Sequence, residues 1–252
     1  MPLSAIMRSV TVSQSWPPSL SPTPLAVLAS GGLDSSVLLG EAVGRYPAVT
    51  PIFVRVGSIW EDAERAVLQR FCDALQAPNL RPIVELSQPV GDLYGSHWSL
   101  TGQGVPMLGE PDEASFLPGR NVLLLAKPLL WCLMNSIPEL ATAPLASNPF
   151  PDATDAFYDG MAELVGRSVS GTVRVLRPYA QMGLHKNDVI QRGRDFPLEF
   201  TLSCAKPVRG LNCGTCSKCG ERMDGFAVAG IADPTHYAQK PKPKLKPKSG
   251  EF

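Results

Sequence analysis

The sequence predicts an α/β protein: a doubly wound, mainly parallel sheet followed by a C-terminal zinc knuckle. Three observations carry this. Short apolar runs alternate with segments of helical periodicity along most of the chain. The first of those runs, Leu25 to Ala29, passes through a glycine turn directly into the helical stretch that begins at Val37. Near the other end, Cys204, Cys213, Cys216 and Cys219 have the spacing C-x8-C-x2-C-x2-C.

Length and composition set the limits. The 252 residues allow one large domain or one domain plus a small appendage, and 44% hydrophobic content is ample for a core. Formal charge is zero, so no global field points to nucleic acid or to a membrane surface. No apolar run approaches the roughly 20 residues of a membrane span. No basic head with an apolar segment and cleavage site opens the chain. Three of the six cysteines fall within seven residues, which favours metal binding over a disulfide framework. A cytoplasmic location is the expectation.

Residues 1–23 are rich in Ser and Pro and read as a mobile arm, with one short strand at Ser9 to Val12. Residues 24–200 carry the alternating pattern. Strands are expected at Leu25 to Ala29, Val49 to Val56, Pro82 to Leu86, Leu140 to Leu145 and Val173 to Arg177. Helices are expected from the glycine turn to Arg45, over Glu61 to Leu75, Val122 to Met134 and Ala156 to Val165, and from His185 onward. Cys72 and Cys132 lie in apolar helical patterns and read as core thiols. Ser87 to Ala114 is a long loop rich in Gly and Pro, of a length that is usually functional. It carries His97 and Trp98, placed to cover a ligand, although a lone His in such a loop is more often structural. Residues 201–238 form the cysteine region, with a short helix at Glu221 to Val228. Residues 239–252 alternate Lys and Pro as an extended solvated tail.

The glycine turn is the leading functional candidate. Ser30-Gly31-Gly32-Leu33-Asp34-Ser35-Ser36 joins a buried strand to a helix N-terminus. Free N–H groups, the helix dipole and three hydroxyls all favour an anion there. No Gly-Lys-Ser/Thr follows, and the dinucleotide G-x-G-x-x-G is absent. Asp34 beside phosphate implies Mg²⁺ between them, the bland alternative being a helix cap. Arg120 and Asn121 open the helix after Pro118-Gly119. A cation there opposes the dipole, so a ligand explains Arg120 better than helix stability does. Asn121 suits a cap in either case. Asp152 and Asp155 follow the fourth strand, at the sheet edge where α/β folds bind ligands, and either suits a helix cap as well. Lys186 is a candidate phosphate contact.

The four cysteines suit a closed tetrahedral Zn²⁺ site with a fastening role. An iron–sulfur cluster and free thiols remain as alternatives, with no downstream Cys-Pro to favour the cluster.

The motif Ser-Gly-Gly-Leu-Asp-Ser at 30–35 resembles the pyrophosphate loop of ATP pyrophosphatases, which have an adenine nucleotide alpha-hydrolase-like fold. With Leu117-Pro118-Gly119-Arg120-Asn121, Phe150-Pro151-Asp152, Lys186, Thr201-Leu202-Ser203-Cys204 and the three later cysteines, the chain resembles the 7-cyano-7-deazaguanine synthases from Leu25 to Tyr237. That resemblance implies an ATP-dependent ligase of queuosine precursor synthesis. Such an enzyme adenylates carboxy-deazaguanine and uses ammonia to form an amide, then a nitrile, releasing AMP and pyrophosphate. It implies ATP, Mg²⁺ and Zn²⁺ as cofactors, a possible homodimer, and no direct nucleic-acid partner. Asp34, Arg120 and Lys186 would be catalytic. Ser30, Gly31, Gly32, Leu33, Asp34, Ser35, Ser36 and Asn121 would bind nucleotide, and Asp152 and Asp155 the acceptor.

Two segments depart from the family. Arg55-Val56-Gly57-Ser58-Ile59-Trp60 stands where the family has Tyr-x-Gln and a basic residue. Ala146 to Thr154 is shorter than the family's segment and lacks its Tyr-Pro-Asp-Cys-Arg. Related proteins in bacterial antiviral defence make a second acceptor the alternative. It would be another carboxylate such as a partner protein's C-terminus, or a protein to which deazaguanine is attached.

Overall fold

A computed structural model describes Trp16 and residues 21–239. The expected strand at Ser9 to Val12 and nearly all of the 1–23 arm and 239–252 tail lie outside those residues.

Five parallel strands form one sheet, β1 (Leu25–Leu28), β2 (Val49–Arg55), β3 (Val84–Ser87), β4 (Glu139–Ala141) and β5 (Arg174–Leu176), in the order β3-β2-β1-β4-β5. The helices are α1 (Leu33–Val43), α2 (Glu61–Leu75), α3 (Gly91–Tyr94), α4 (Trp98–Thr101), α5 (Arg120–Met134), α6 (Asp155–Ser168), α7 (Pro178–Gln181), α8 (Lys186–Arg192) and α9 (Ser217–Ala229).

Alternation along β1 explains the layers. Leu25 and Val27 join a core with Val37, Leu38 and Leu39 of α1, Leu68 and Phe71 of α2, and Val189 of α8. Ala26 faces the other way, toward Leu125 and Leu129 of α5 and Tyr158 of α6. Both faces are covered, so the strand is apolar throughout. Helix α1 is buried nearly all round, as its continuous Val-Leu-Leu run requires. Gly193 after α8 makes this packing close, because a Cβ there would lie 2.4 Å from Val37 Cγ2.

The alternation read from the sequence matches this order of elements, and the boundaries shift for local reasons. Strand β4 ends at Ala141 instead of Leu145, because the chain leaves the sheet to line a cleft and Pro144 has no N–H for a ladder. Helix α5 begins at Arg120 instead of Val122, with Gly119 in the left-handed region at φ +71° just before it. Helix α9 begins inside the cysteine knuckle at Ser217, where Glu221 was expected. The long loop holds α3, α4 and a 3-10 turn at Asp112–Ser115. It is tied to the knuckle by Leu108 N–H to Thr215 O at 3.1 Å and Ser217 N–H to Pro106 O at 3.0 Å. Cys132 is fully buried and Cys72 partly so, and burial pushes both thiols up to about 12.

Candidate active site

Strand order reverses at β1, whose neighbours are β2 on one side and β4 on the other. A crevice must open at the carboxyl ends of strands at such a switch point. A cavity of about 330 Å³ lies there, lined by Ser30, Gly32, Asp34 and Ser35 of the turn and by Glu64 and Arg120. A second recess of about 470 Å³ shares Asp34 and Asn148 with the first and is lined by His185, Lys186, Lys218 and Glu221.

Backbone geometry builds the turn. Gly31 takes φ +80°, and a Cβ there would sit 2.4 Å from the carbonyl oxygen of Glu64. Glycine is therefore needed twice over, for the left-handed backbone and for the approach of α2. Gly32 is extended and caps α1. Its N–H donates to Ser30 Oγ at 3.2 Å, and its carbonyl accepts from Ser35 Oγ at 3.2 Å and from Ser36 N–H at 3.0 Å. Ser35 Oγ also accepts from Ser30 N–H at 3.3 Å. The opening N–H groups of α1 are left for a ligand, where the dipole favours negative charge. Ser36 and Leu33 lie buried beneath the turn, and neither they nor Gly31 line the cavity.

A charged chain runs from the turn into the second recess. Asp34 Oδ2 accepts from Lys186 Nζ at 2.5 Å, and Lys186 also reaches Glu221 Oε1 at 3.0 Å. Glu221 Oε2 accepts from Lys218 Nζ at 3.0 Å. Asp34 Oδ1 is buried and has no hydrogen-bond partner among the described residues. Burial opposes the Lys186 ammonium, but Asp34 and Glu221 outweigh it and hold its pKa above the usual lysine value. Burial likewise opposes the Glu221 carboxylate, yet Lys186 and Lys218 bring it down to about 2. Gly225 of α9 leaves room for the lysine stem, since a Cβ there would lie 2.5 Å from Lys186 Cγ.

The rest of the cleft is built differently. Arg120 is exposed to the cleft and makes no ion pair among the described residues. Neighbouring Asn121 fixes the start of α5, its N–H donating to Asp152 Oδ2 at 3.0 Å and its Nδ2 to Asp152 O at 2.8 Å. Asp155 accepts from Nε of buried Arg177 at 2.8 Å. The Asp152 and Asp155 carboxylates thus sit on Asn121 and Arg177 instead of lining either chamber. His97 caps α4, accepting from Ser99 N–H at 3.2 Å, and its pKa is lowered by burial. It packs on Trp98, which stacks on Trp60 at 5.6 Å between centroids, so it stands behind the wall.

Glu64, Tyr94 and Tyr158, which also line the cavity, escaped sequence reasoning. Glu64 sits on the charged side of an amphipathic helix and gave no signal of facing inward. Its carboxyl is pushed up to about 8 by burial, with Arg120 pulling it down and Glu61 pushing it further up.

The four cysteines converge, with all Sγ atoms within 4.8 Å of one another. Cys213 and Cys219 are 3.8 Å apart, and Cys204 and Cys216 are 4.0 Å apart. An ion about 2.3 Å from each of four sulfurs spaces them by roughly 3.8 Å, so the cage fits a tetrahedral metal. Amides donate to the sulfurs as they do to thiolates: Cys213 N–H to Cys204 at 3.2 Å, Cys216 N–H to Cys213 at 3.3 Å and Gly214 N–H to Cys219 at 3.4 Å. The knuckle packs on Trp60 of the cleft wall and on Val67 of α2. Just before it, Leu202 N–H donates to Gly31 O at 2.9 Å, binding the metal region to the turn. Fully buried Arg222 fastens α9 to the same segment through Thr201 Oγ1 at 2.8 Å and Leu198 O at 3.0 Å.

A parallel α/β sheet with a Ser-Gly-Gly-x-Asp-Ser turn at its switch point defines an ATP-dependent enzyme of the pyrophosphate-loop class. Residues 25–230 match the family described as "Queuosine biosynthesis protein QueC", and the chain belongs to that family. Three relatives are each a 7-cyano-7-deazaguanine synthase. That of Syntrophobacter fumaroxidans is 31% identical over 230 residues, 84% of this chain and 95% of the relative. That of Chlorobaculum parvum is 27% identical over 227 residues, 85% of this chain and 96% of the relative. That of Methanopyrus kandleri is 29% identical over 238 residues, 84% of this chain and 98% of the relative. Among the described residues no helix is long and apolar enough to cross a membrane.

Proposed function

We propose that this protein is an ATP-dependent C–N ligase that adenylates the carboxylate of carboxy-deazaguanine. Ammonia then displaces AMP to give the amide, and a second ATP drives dehydration to the nitrile. The observation that carries this reading is Asp34: one carboxylate oxygen is held by Lys186, and the other is buried and bare beside the α1 N-terminus. A bare carboxylate oxygen next to an anion site suits Mg²⁺ between acid and phosphate. When bound, Mg²⁺ would neutralise phosphate charge. Cys204, Cys213, Cys216 and Cys219 would hold Zn²⁺ and leave no open position, so that ion fastens the fold.

The chain's own residues do the rest. A carboxylate is a poor acyl donor, and joining it to AMP supplies a good leaving group. The turn's amides and hydroxyls would grip pyrophosphate, Lys186 would balance its charge, and Arg120 and Asn121 would orient the nucleotide and the acid. Asp152 and Asp155 would serve the acceptor side by setting α5 and α6 in place. The same reading makes the enzyme cytoplasmic and a homodimer, with a small carboxylate and ammonia as its reactants.

One observation supports a second acceptor. Val56, Ser58 and Trp60, from the segment that departs from the family's Tyr-x-Gln pattern, all line the cavity. A protein C-terminus activated by the same chemistry, in antiviral defence, is the reading this wall favours next.

The test is pyrophosphate release by the purified protein with ATP, Mg²⁺ and ammonia, with carboxy-deazaguanine set against a panel of other acids. Products are read by mass spectrometry. Release that depends on carboxy-deazaguanine, with amide and nitrile masses, is expected. Release with a different acid alone would transfer the function to the second reading.

A further inference from the structure

Two carboxyls lining the cavity, Glu61 and Glu64, are used neither by the nucleotide reading nor by the ion-pair chain, and Glu61 is already held by Arg55 and by the Val56 and Gly57 amides. The placement of Glu64 is rigid. Its own carbonyl oxygen sits against Gly31, so the first turn of α2 is locked to the pyrophosphate turn. The side chain shares the cavity with Asp34, Gly32 and Arg120, and no ion pair or side-chain hydrogen bond occupies it among the described residues. The charged groups that act on it are Arg120, from α5, and Glu61, at the start of α2. Those two pull in opposite directions, and burial exceeds both. The carboxylates of the charged chain are committed to cations: Asp34 to Lys186, and Glu221 to Lys186 and Lys218.

We infer that Glu64 is the base that takes the proton from the ammonia nitrogen as it attacks the acyl-adenylate. The step balances. Ammonia adds to the acyl carbon, forming the C–N bond and a tetrahedral adduct with an ammonium-like nitrogen. The Glu64 carboxylate accepts one proton from that nitrogen and becomes the neutral acid. The C–O bond to the phosphate breaks, AMP departs with the electron pair as its dianion, and the amide remains. Glu64 then returns its proton to solvent. Without a base, the adduct most readily expels the protonated amine and reverts. A carboxyl of ordinary strength is too weak a base for this transfer. A proton acceptor works best with a pKa near the working pH, and burial places Glu64 there.

This inference rests on the adenylating reading above, and the test separates the two. Glu64→Gln and Glu64→Asp proteins are given ATP, Mg²⁺ and carboxy-deazaguanine, and the acyl-adenylate is trapped with ammonia or with hydroxylamine. Hydroxylamine is far less basic than ammonia, so its adduct sheds a proton to water without help. The readout is the ratio of amide to hydroxamate, with a thermal melt of each variant as the check on folding. Loss of general-base help costs about a hundredfold or more. The ratio is therefore expected to fall about a hundredfold in Glu64→Gln and less in Glu64→Asp, which keeps a carboxylate. A ratio equal to wild type in Glu64→Gln, or amide and hydroxamate falling together, overturns the base while leaving the function intact. A wild-type protein that makes neither product overturns the adenylating reading and the base with it.

Discussion

The two walls of the cleft handle charge in opposite ways. On the turn side the charged groups form a paired chain: Asp34 with Lys186, Lys186 with Glu221, Glu221 with Lys218. Elsewhere on the lining, beside Glu61, which Arg55 holds, Arg120 and Glu64 face the same space with no ion pair among the described residues. The pKa directions follow. Pairing holds the Glu221 carboxylate down at about 2, whereas burial without a partner pushes Glu64 up to about 8. A paired wall keeps its charges fixed through a reaction, as gripping pyrophosphate requires. An unpaired wall can change protonation, as handling an acceptor and a nucleophile requires. The difference is thus between binding and proton transfer, and each wall can be disturbed by itself.

The largest effect is expected from the paired wall's foundation. Cys216 caps α9, which carries Lys218, Glu221 and the close-packed Gly225. Cys216→Ser removes one ligand from the cage. Structural metal sites contribute many kcal/mol to folding, so a loss on the order of 5 kcal/mol or more is expected for this region. Metal content by mass spectrometry and thermal melting check it. The variant should lose the metal and melt far lower, and pyrophosphate release should fall with it because Glu221 no longer holds Lys186. A variant without metal that melts like wild type would separate the knuckle from the paired wall.

Next comes the paired wall's central acid. Asp34→Ala leaves Lys186 with Glu221, so the fold should persist. Removing one group that balances developing charge costs about a hundredfold to a thousandfold in turnover. Acid-dependent pyrophosphate release is expected to fall at least that far at an unchanged melting temperature. A loss under tenfold would move nucleotide binding away from the turn.

The same contrast explains what the sequence revealed. The turn is local. Ser30 to Ser36 contains its glycines, hydroxyls and acid in one stretch, and the strand before and helix after fix their geometry. The cysteine cage is nearly as local, because three of its four ligands fall within seven residues. The other wall is assembled from α2, α3, the start of α5 and α6, brought together by contacts invisible in any short window. Glu64 reads as one more charge on the solvated face of α2. It turns inward only because Gly31 approaches its backbone and the knuckle packs on Trp60 and Val67. Asp152 and Asp155 show the reverse. Their position after the fourth strand suggested direct contact with a ligand, yet each carboxylate is held by another segment, through Asn121 and Arg177. Sequence position locates the rim of the sheet but does not say which rim residues face inward.

The smallest effect tests the unpaired wall by stability alone, with no substrate present. Glu64 has an ordinary carboxyl pKa of 4.5 in the unfolded chain and about 8 in the folded one. Between these values the unfolded chain has released the proton and the folded protein still holds it. The folded state therefore binds more protons, and this residue's contribution to stability falls as pH rises. At about 1.4 kcal/mol per pH unit the displacement sets a ceiling of roughly 5 kcal/mol. The side chain is partly open to the cleft, and solvent screening brings the expected difference to about 1–2 kcal/mol. Glutamine cannot ionise, so Glu64→Gln should lack this penalty. Denaturant unfolding of both proteins at a series of pH values checks it, and changes at the cysteines cancel in the difference. The advantage of Glu64→Gln should be least near pH 5, grow to about pH 8 and level off above it. A difference that stays flat with pH would mean that Glu64 titrates as an ordinary surface acid. The two walls would then differ in pairing but not in their capacity to move a proton.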